Sequence, residues 1–357
     1  MGNGESEKTN PIHRKTFYFL NILLMCVITA ASLAMAVICF VRLERLRAEK
    51  TVEGTVYTDA QIDKIRYSSA INERNRMLLD IQSSFESGNS TISMLRDLFP
   101  DDLVVMWEGR YYFYPVNRNL EMNVFDETDF SLGEHGFMEY IGENDAVSVS
   151  HGIDVSSLNG EIDWQKVAED GIAFTMLRAA CRDSDDELIA DERFAENLSG
   201  AKAAGLRTGC YVDLDVDTKE AAENLADFVL SNPAMSQQEK GAPIAVRVQI
   251  PDHTSSLSGQ TREEWTQSVI AFCSKVKKAG FAPVIYANTA AFNMLLKMDE
   301  LTEYDKWLAD YGDYLYFPYK FSCWQYSLKG SVNGIEGDVA LDLSVIVEKD
   351  KKESDQK

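Results

Sequence analysis

From His151 onward the chain alternates short β runs with helical stretches, and this alternation restricts the fold more than any other feature. Eight runs are legible: Gly152–Ser156, Ala173–Ala179, Arg207–Asp213, Pro243–Gln249, Ala282–Ala287, Lys306–Tyr311, Phe321–Ser327 and Val339–Val345. Helical patterns separate the early ones, at Asp163–Asp170, Asp191–Ala204, Lys219–Leu230 and Thr261–Ala279. Strands joined through helices pair in parallel, because each helix returns the chain across one face of the sheet. Eight of them predict an α/β fold, a compact (β/α) barrel with thin helical cover between its last strands. Such barrels keep their chemistry at the carboxyl ends of the strands, where Asp154, Asp213, Arg247, Gln249, Tyr286, Trp324 and Asp342 are expected to gather.

The fourth run, Pro-Ile-Ala-Val-Arg-Val-Gln, is apolar except for two residues at its carboxyl end. Side chains on a strand alternate faces, so Ala245, Arg247 and Gln249 share one face and Val246 and Val248 the other. An arginine and a glutamine leaving one face of a buried strand belong to a site, or to a plug that has filled one.

The rest of the chain places this domain. Phe17 to Val41 is uncharged and almost wholly apolar, long enough to cross a bilayer. A cleavable signal ending near Ala36 is the rival, but the apolar run continues past that point, which favours an uncleaved anchor. Basic residues flank the span on both sides, so charge alone does not orient it. Thr58 to Leu98 reads as helix, opened by Thr58 and Gln61 at capping-box spacing and broken near Gly88. A stalk of this kind is able to pair with a second copy. Leu103–Val116 reads as a hairpin about Glu108 and Gly109. Its aromatics, Trp107 and Tyr111 to Tyr114, suit a small sheet core better than a sugar platform. The domain order is then a cytoplasmic tail over 1–16, a transmembrane helix over 17–41, a helical stalk over 42–98, a small β module and linker over 99–150, the barrel over 151–347 and a disordered charged tail over 348–357.

A formal charge of −22 over 357 residues excludes a nucleic-acid binder, since it repels phosphate. The four cysteines outside the apolar span, Cys181, Cys210, Cys273 and Cys323, have neither metal-ligand nor disulfide-scaffold spacing and read as free thiols. No phosphate loop or nucleophile elbow occurs, so no metal or cofactor is expected.

Gly152-Ile-Asp-Val-Ser156, Ile162-Asp-Trp164 and Phe174-Thr-Met-Leu-Arg178 resemble the opening of the glycoside hydrolase family 25 lysozymes. Ala204-Gly-Leu-Arg-Thr-Gly-Cys-Tyr211, Gly280-Phe-Ala-Pro-Val-Ile-Tyr286, Lys306-Trp-Leu-Ala-Asp-Tyr311, Trp324-Gln-Tyr-Ser327, Gly334-Ile-Glu-Gly337 and Leu341-Asp-Leu343 continue it in order. The resemblance covers about His151 to Val347. It implies an exported N-acetylmuramidase fold directed at peptidoglycan, with a cytoplasmic amino terminus and the barrel outside the cell. The family carries Asp-x-Glu at the end of its fourth strand, where this chain has Arg247 and Gln249. In the family the Glu protonates the leaving sugar oxygen and the Asp supports the positive centre. Glutamine has no proton to give. A guanidinium about 5 Å from an oxocarbenium-like centre opposes it by about 3 kcal/mol at an effective dielectric near 20.

The resemblance therefore implies a degenerate muramidase, a pseudoenzyme that binds peptidoglycan glycan strands or a cell-envelope protein through Asp154, Tyr211, Tyr286, Trp324, Gln325 and Asp342. Two alternatives stay open. Asp213 and Asp215 supply relocated acids for an active enzyme, or else partners for Arg247; or the barrel is filled by a salt-bridged core and serves as an assembly scaffold.

Overall fold

The computed structural model describes residues 11–50, 57–185, 187–216, 218–251, 259–312 and 315–348. The expected tail ahead of residue 11 and the expected disordered tail from 349 lie outside them. The chain divides into two compact units, Met1–Ser87 and Gly88–Lys357.

The first unit is helical. Helix α1 (Pro11–Lys50) contains one stretch, Tyr18–Arg45, long and apolar enough to cross a membrane. Helix α2 (Asp59–Glu86) starts at the expected capping box: Thr58 Oγ1 accepts from the Gln61 amide at 3.3 Å, and Gln61 Oε1 accepts from the Thr58 amide at 2.9 Å. Two of the orphan amides at the helix start are thereby satisfied. The helix stops before Gly88, whose φ of 83° suits glycine alone.

The second unit opens with α3 (Thr91–Leu98) and the hairpin β1 (Asp102–Trp107) and β2 (Arg110–Pro115). Glu108 and Gly109 both take positive φ, 50° and 73°, the geometry whose twist matches a two-residue hairpin. The core side chains are not the expected aromatics. Leu103, Val104 and Val105 of β1 are buried, whereas Tyr111 and Phe113 of β2 are exposed. A second small hairpin follows, β3 (Phe130–Leu132) with β4 (Met138–Tyr140).

The barrel strands are β5 (Val147–Val155), β6 (Phe174–Arg178), β9 (Arg207–Asp213), β10 (Pro243–Arg247), β11 (Ala282–Asn288), β12 (Asp305–Ala309), β13 (Cys323–Gly330) and β14 (Val339–Val347). They close in the order β10-β11-β12-β13-β14-β5-β6-β9. Helices α4 (Trp164–Glu169), α5 (Phe194–Ala203), α6 (Lys219–Ser231), α7 (Arg262–Lys278) and α8 (Thr289–Met294) follow β5, β6, β9, β10 and β11, and the hairpin β7 (Ala180–Arg182) with β8 (Leu188–Ala190) leaves the rim after β6. One strand departs from the parallel expectation: β14 runs antiparallel to both β13 and β5. No helix separates β13 from β14, and a short connection returns the chain in the opposite direction.

With no helix following β12 or β13 among the described residues, the outside of these strands is covered by residues 99–146. Phe125 meets Phe321 and Phe130 meets Trp324 edge to face, each pair at 5.5 Å between centroids. The Val104 and Asn117 amides donate to the Tyr316 and Tyr319 hydroxyls at 2.9 and 2.8 Å. The segment is thus part of the barrel's outer layer, a role its acidic, irregular sequence does not announce.

Inside the barrel Phe174, Met176, Tyr211, Ala245, Val284, Tyr286, Trp307 and Ala309 form one packed cluster. Gly152 makes room for it, since a Cβ there would stand 2.2 Å from the Phe174 ring.

Candidate functional site

Strand β10 turns its side chains as its alternation requires. Val246 and Val248 join the outer core and Ala245 the interior cluster, so Arg247 rises into the carboxyl-terminal mouth on the Ala245 side. The strand ends there. Val248 still donates its amide to the Tyr286 carbonyl at 2.8 Å, but Pro251 follows shortly and cannot extend the ladder. Gln249, expected as the last residue of the strand, lies beyond it and is exposed.

Arg247 is the register partner of Asp213 on β9 and of Tyr286 on β11. Its guanidinium binds the Asp213 carboxylate in two places, Nε to Oδ1 and Nη2 to Oδ2, the latter at 2.9 Å. It also lies 5.1 Å from the Tyr211 ring centroid and 5.9 Å from that of Tyr286. A planar fork between two rings, closed by a bidentate carboxylate, is the favourable setting for a partly desolvated arginine. The pair is half-buried, the Arg247 side chain 23% exposed and that of Asp213 37%. Asp215, past the end of β9, is paired with Arg182. Both candidate acids on this segment are therefore engaged by arginines.

Deeper in the same mouth is a hydrogen-bonded column. Trp307 Nε1 donates to Asp342 Oδ1 at 2.7 Å. Asp342 Oδ2 has no hydrogen-bond partner among the described residues, and the Asp342 and Asp154 carboxyls are neighbours that shift one another. Two buried carboxyls this close resist ionising together, so over part of the pH range the pair holds one proton. Gln325 Nε2 donates to Asp154 Oδ2, and Gln325 Oε1 accepts from the hydroxyls of Tyr286, at 2.7 Å, and Tyr311. The two hydroxyls are themselves 3.1 Å apart. Trp307 thus holds Asp342 at the base, and Gln325 links Asp154 to the two tyrosine hydroxyls nearer the rim.

The column's protonation follows from its burial. Burial pushes Asp154 up to about 6, against the opposing pull of Arg247 and the Gln325 hydrogen bond. Asp342, fully buried, is pushed well above the ordinary range by burial and then by the charge on Asp154. Of the two, Asp342 is the more deeply buried and has no cation opposing its shift, whereas Asp154 feels Arg247.

Of the residues expected at the rim, Asp154, Tyr211, Tyr286, Gln325 and Asp342 come together as this column and its walls, all more than nine-tenths buried. None presents an open face. Trp324 does not join them: it points out of the barrel, packs on Phe130 and Tyr326 and donates to the Asp310 carbonyl at 2.8 Å. Sequence reasoning missed Tyr311. It stands two residues past β12, its hydroxyl fixed in the column while 47% of the residue is exposed. The signal was its place beyond a strand end in the aromatic run that includes Trp307.

Residues 153–335 match the model of glycosyl hydrolases family 25. The chain is 30% identical over 203 residues to the uncharacterised protein YegX of Escherichia coli O157:H7, which covers 54% of this chain and 68% of that one. It is 26% identical over 198 residues to the autolytic lysozyme of Clostridium acetobutylicum, 54% of each chain. The lysozyme structure of Streptomyces coelicolor superposes with a TM-score of 0.44 at 22% identity, over 55% of this chain and 91% of that one.

Proposed function

The chain belongs to glycosyl hydrolases family 25, and on that premise we propose that it is a single-pass membrane protein whose barrel engages peptidoglycan glycan without cutting it. The observation that carries the reading is the Arg247–Asp213 pair at the end of β10. A glycosidase needs a proton donor beside the scissile oxygen and negative charge beside the developing cation. The positions that the family resemblance assigns to those groups are Arg247 and Gln249, a guanidinium and an exposed amide. The name of the Clostridium relative, an autolytic lysozyme, supports wall glycan as the ligand class.

The proposed binding surface is Tyr311 with the outer edge of the Arg247–Asp213 pair. A ring held by its hydroxyl and open on its face suits a sugar's apolar side, and the ion pair suits its hydroxyls. The organisation we propose is a short cytoplasmic tail over 1–16, the span over 17–41, a stalk over 42–98, the covering segment over 99–150 and the exported barrel over 151–347. Helix α2 has no buried residue, which leaves its faces available to a second copy in a homodimer.

A second reading keeps hydrolysis with a relocated acid, and one observation favours it. Burial pushes the Asp154 carboxyl up to about 6, toward the range in which a general acid is effective. Asp213 and Asp215 serve this reading less well, being held by Arg247 and Arg182. The test scores the protein with insoluble peptidoglycan for retention and for release of reducing ends. Retention without release supports the binding reading. Release abolished by Asp154→Asn overturns it in favour of the relocated acid. Neither retention nor release leaves a scaffold with a filled barrel.

A further inference from the structure

The opposite mouth of the barrel is not filled. At the amino-terminal ends of β6, β9 and β10 a cavity of about 680 Å3 enters the barrel, away from Arg247 and Tyr311. Its deep wall is Phe174, Met176, Val284 and Trp307, members of the interior cluster. Its rim carries three cations, Lys202, Arg207 and Lys240, against one carboxylate, Glu239.

The charges at this rim are not balanced. Glu239 meets Lys202 at 3.5 Å. Arg207 donates to Ser150 Oγ at 2.7 Å, and Lys240 donates to the Ala279 carbonyl at 2.8 Å. Neither of these two is paired with a carboxylate among the described residues, in a chain of net charge −22. Gln238, in the wall and more than nine-tenths buried, accepts from Thr208 Oγ1 at 2.8 Å, while its Nε2 has no acceptor among the described residues. A buried donor without an acceptor costs about 1–3 kcal/mol, which a ligand's oxygen would recover.

Cations at the entrance, a spare amide donor in the wall and an apolar depth match an anionic head on an apolar chain. The volume is that of an ordinary small-molecule site. We propose that this mouth binds a single-chain amphipathic carboxylate, an acyl anion whose tail lies against Met176 and Trp307 and whose head meets Arg207 and Lys240. The site is separate from the glycan surface and stands whether or not that surface binds sugar.

The test uses the full chain in nanodiscs of neutral lipid, with a diazirine-bearing dodecanoate irradiated in place and its adducts mapped by mass spectrometry. Adducts are expected on the peptides holding Met176 and residues 203–209 and 238–243. Unlabelled dodecanoate suppresses them about tenfold where dodecanol does not, an anion's share of about 1.4 kcal/mol. The double variant Arg207→Glu with Lys240→Glu, two exposed positions, lowers labelling by a similar factor at an unchanged melting temperature. Adducts confined to α1, equal competition by dodecanol, or undiminished labelling in the double variant each overturn the site. Stronger competition by dodecyl phosphate than by dodecanoate overturns the carboxylate and assigns a phosphate head.

Discussion

Replacing Asp154 by asparagine isolates the buried acid pair. Burial raises this carboxyl from 3.8 to about 6, so the folded chain holds its proton more tightly than the unfolded chain does. At 1.36 kcal/mol per pKa unit the difference is about 3 kcal/mol. A carboxyl raised on folding contributes stability that is fully present below its unfolded value and is lost as pH rises through its folded value. The loss therefore falls between about pH 4 and pH 6 and is complete above it. Carboxylates held low by hydrogen bonds, Asp126, Asp163, Glu263 and Glu264 among them, contribute the opposite slope at more acid pH. Both proteins retain those groups, so they cancel in the difference. The assay is denaturant unfolding of the fragment from Gly88, followed by tryptophan fluorescence at several pH values from 4 to 7. The parent is expected to lose about 3 kcal/mol relative to Asp154→Asn across that range. Parallel pH profiles for the two proteins would refute the shared-proton column.

Asp342→Asn is expected to be tolerated by the same unfolding assay, because an amide oxygen still accepts from Trp307 Nε1 and one of two facing carboxyls is removed. Asp342→Ala strands Trp307 Nε1 and is expected to cost about 1–3 kcal/mol by the same unfolding assay. Arg247→Asp with Gln249→Glu and Asp213→Asn removes the cation, supplies an acid and avoids two facing carboxylates. Release of reducing ends from purified wall by this variant, where the parent gives none, is the expected result. Tyr311→Ala is expected to weaken retention on insoluble peptidoglycan by about tenfold where Tyr311→Phe, which keeps the ring, does not, and unchanged retention in Tyr311→Ala removes Tyr311 from the surface. Gly152→Ala forces a Cβ against the Phe174 ring and is expected to cost about 1–3 kcal/mol, read from the denaturation midpoint.

The barrel was legible because each strand is an apolar run and each early crossover a patterned helix. The direction of β14 was not, since an apolar run carries no sign of which way it lies; only the missing helix before Val339 hinted at it. Parity was legible and was not fully used. Trp324 and Gln325 are neighbours on one strand and so leave opposite faces, which already excluded placing both at the rim. The exit of Gln249 from the sheet depended on Pro251, two residues beyond. The approach of Asp154 and Asp342 was out of reach, because it joins the first barrel strand to the last across most of the barrel sequence.

The same register links the two unusual positions at the mouth into one physical unit. A guanidinium cannot shed its charge, so an arginine at the end of β10 is tolerated in a half-buried mouth only beside a carboxylate held in reach. Strand pairing offers few such places, and Asp213 occupies one of them directly, as Arg247's register partner on β9. The aspartate of the third barrel strand and the arginine of the fourth are therefore better understood as one interdependent pair than as two separate residues. A relocated acid at Asp213 would need to give up the contact that makes Arg247 tolerable. The column beneath is under no such demand: Asp154 is anchored by Gln325 and Asp342, and Arg247 only biases its charge. The carboxyls of the column are accordingly governed by burial, while the outer pair sets the charge at the mouth's surface.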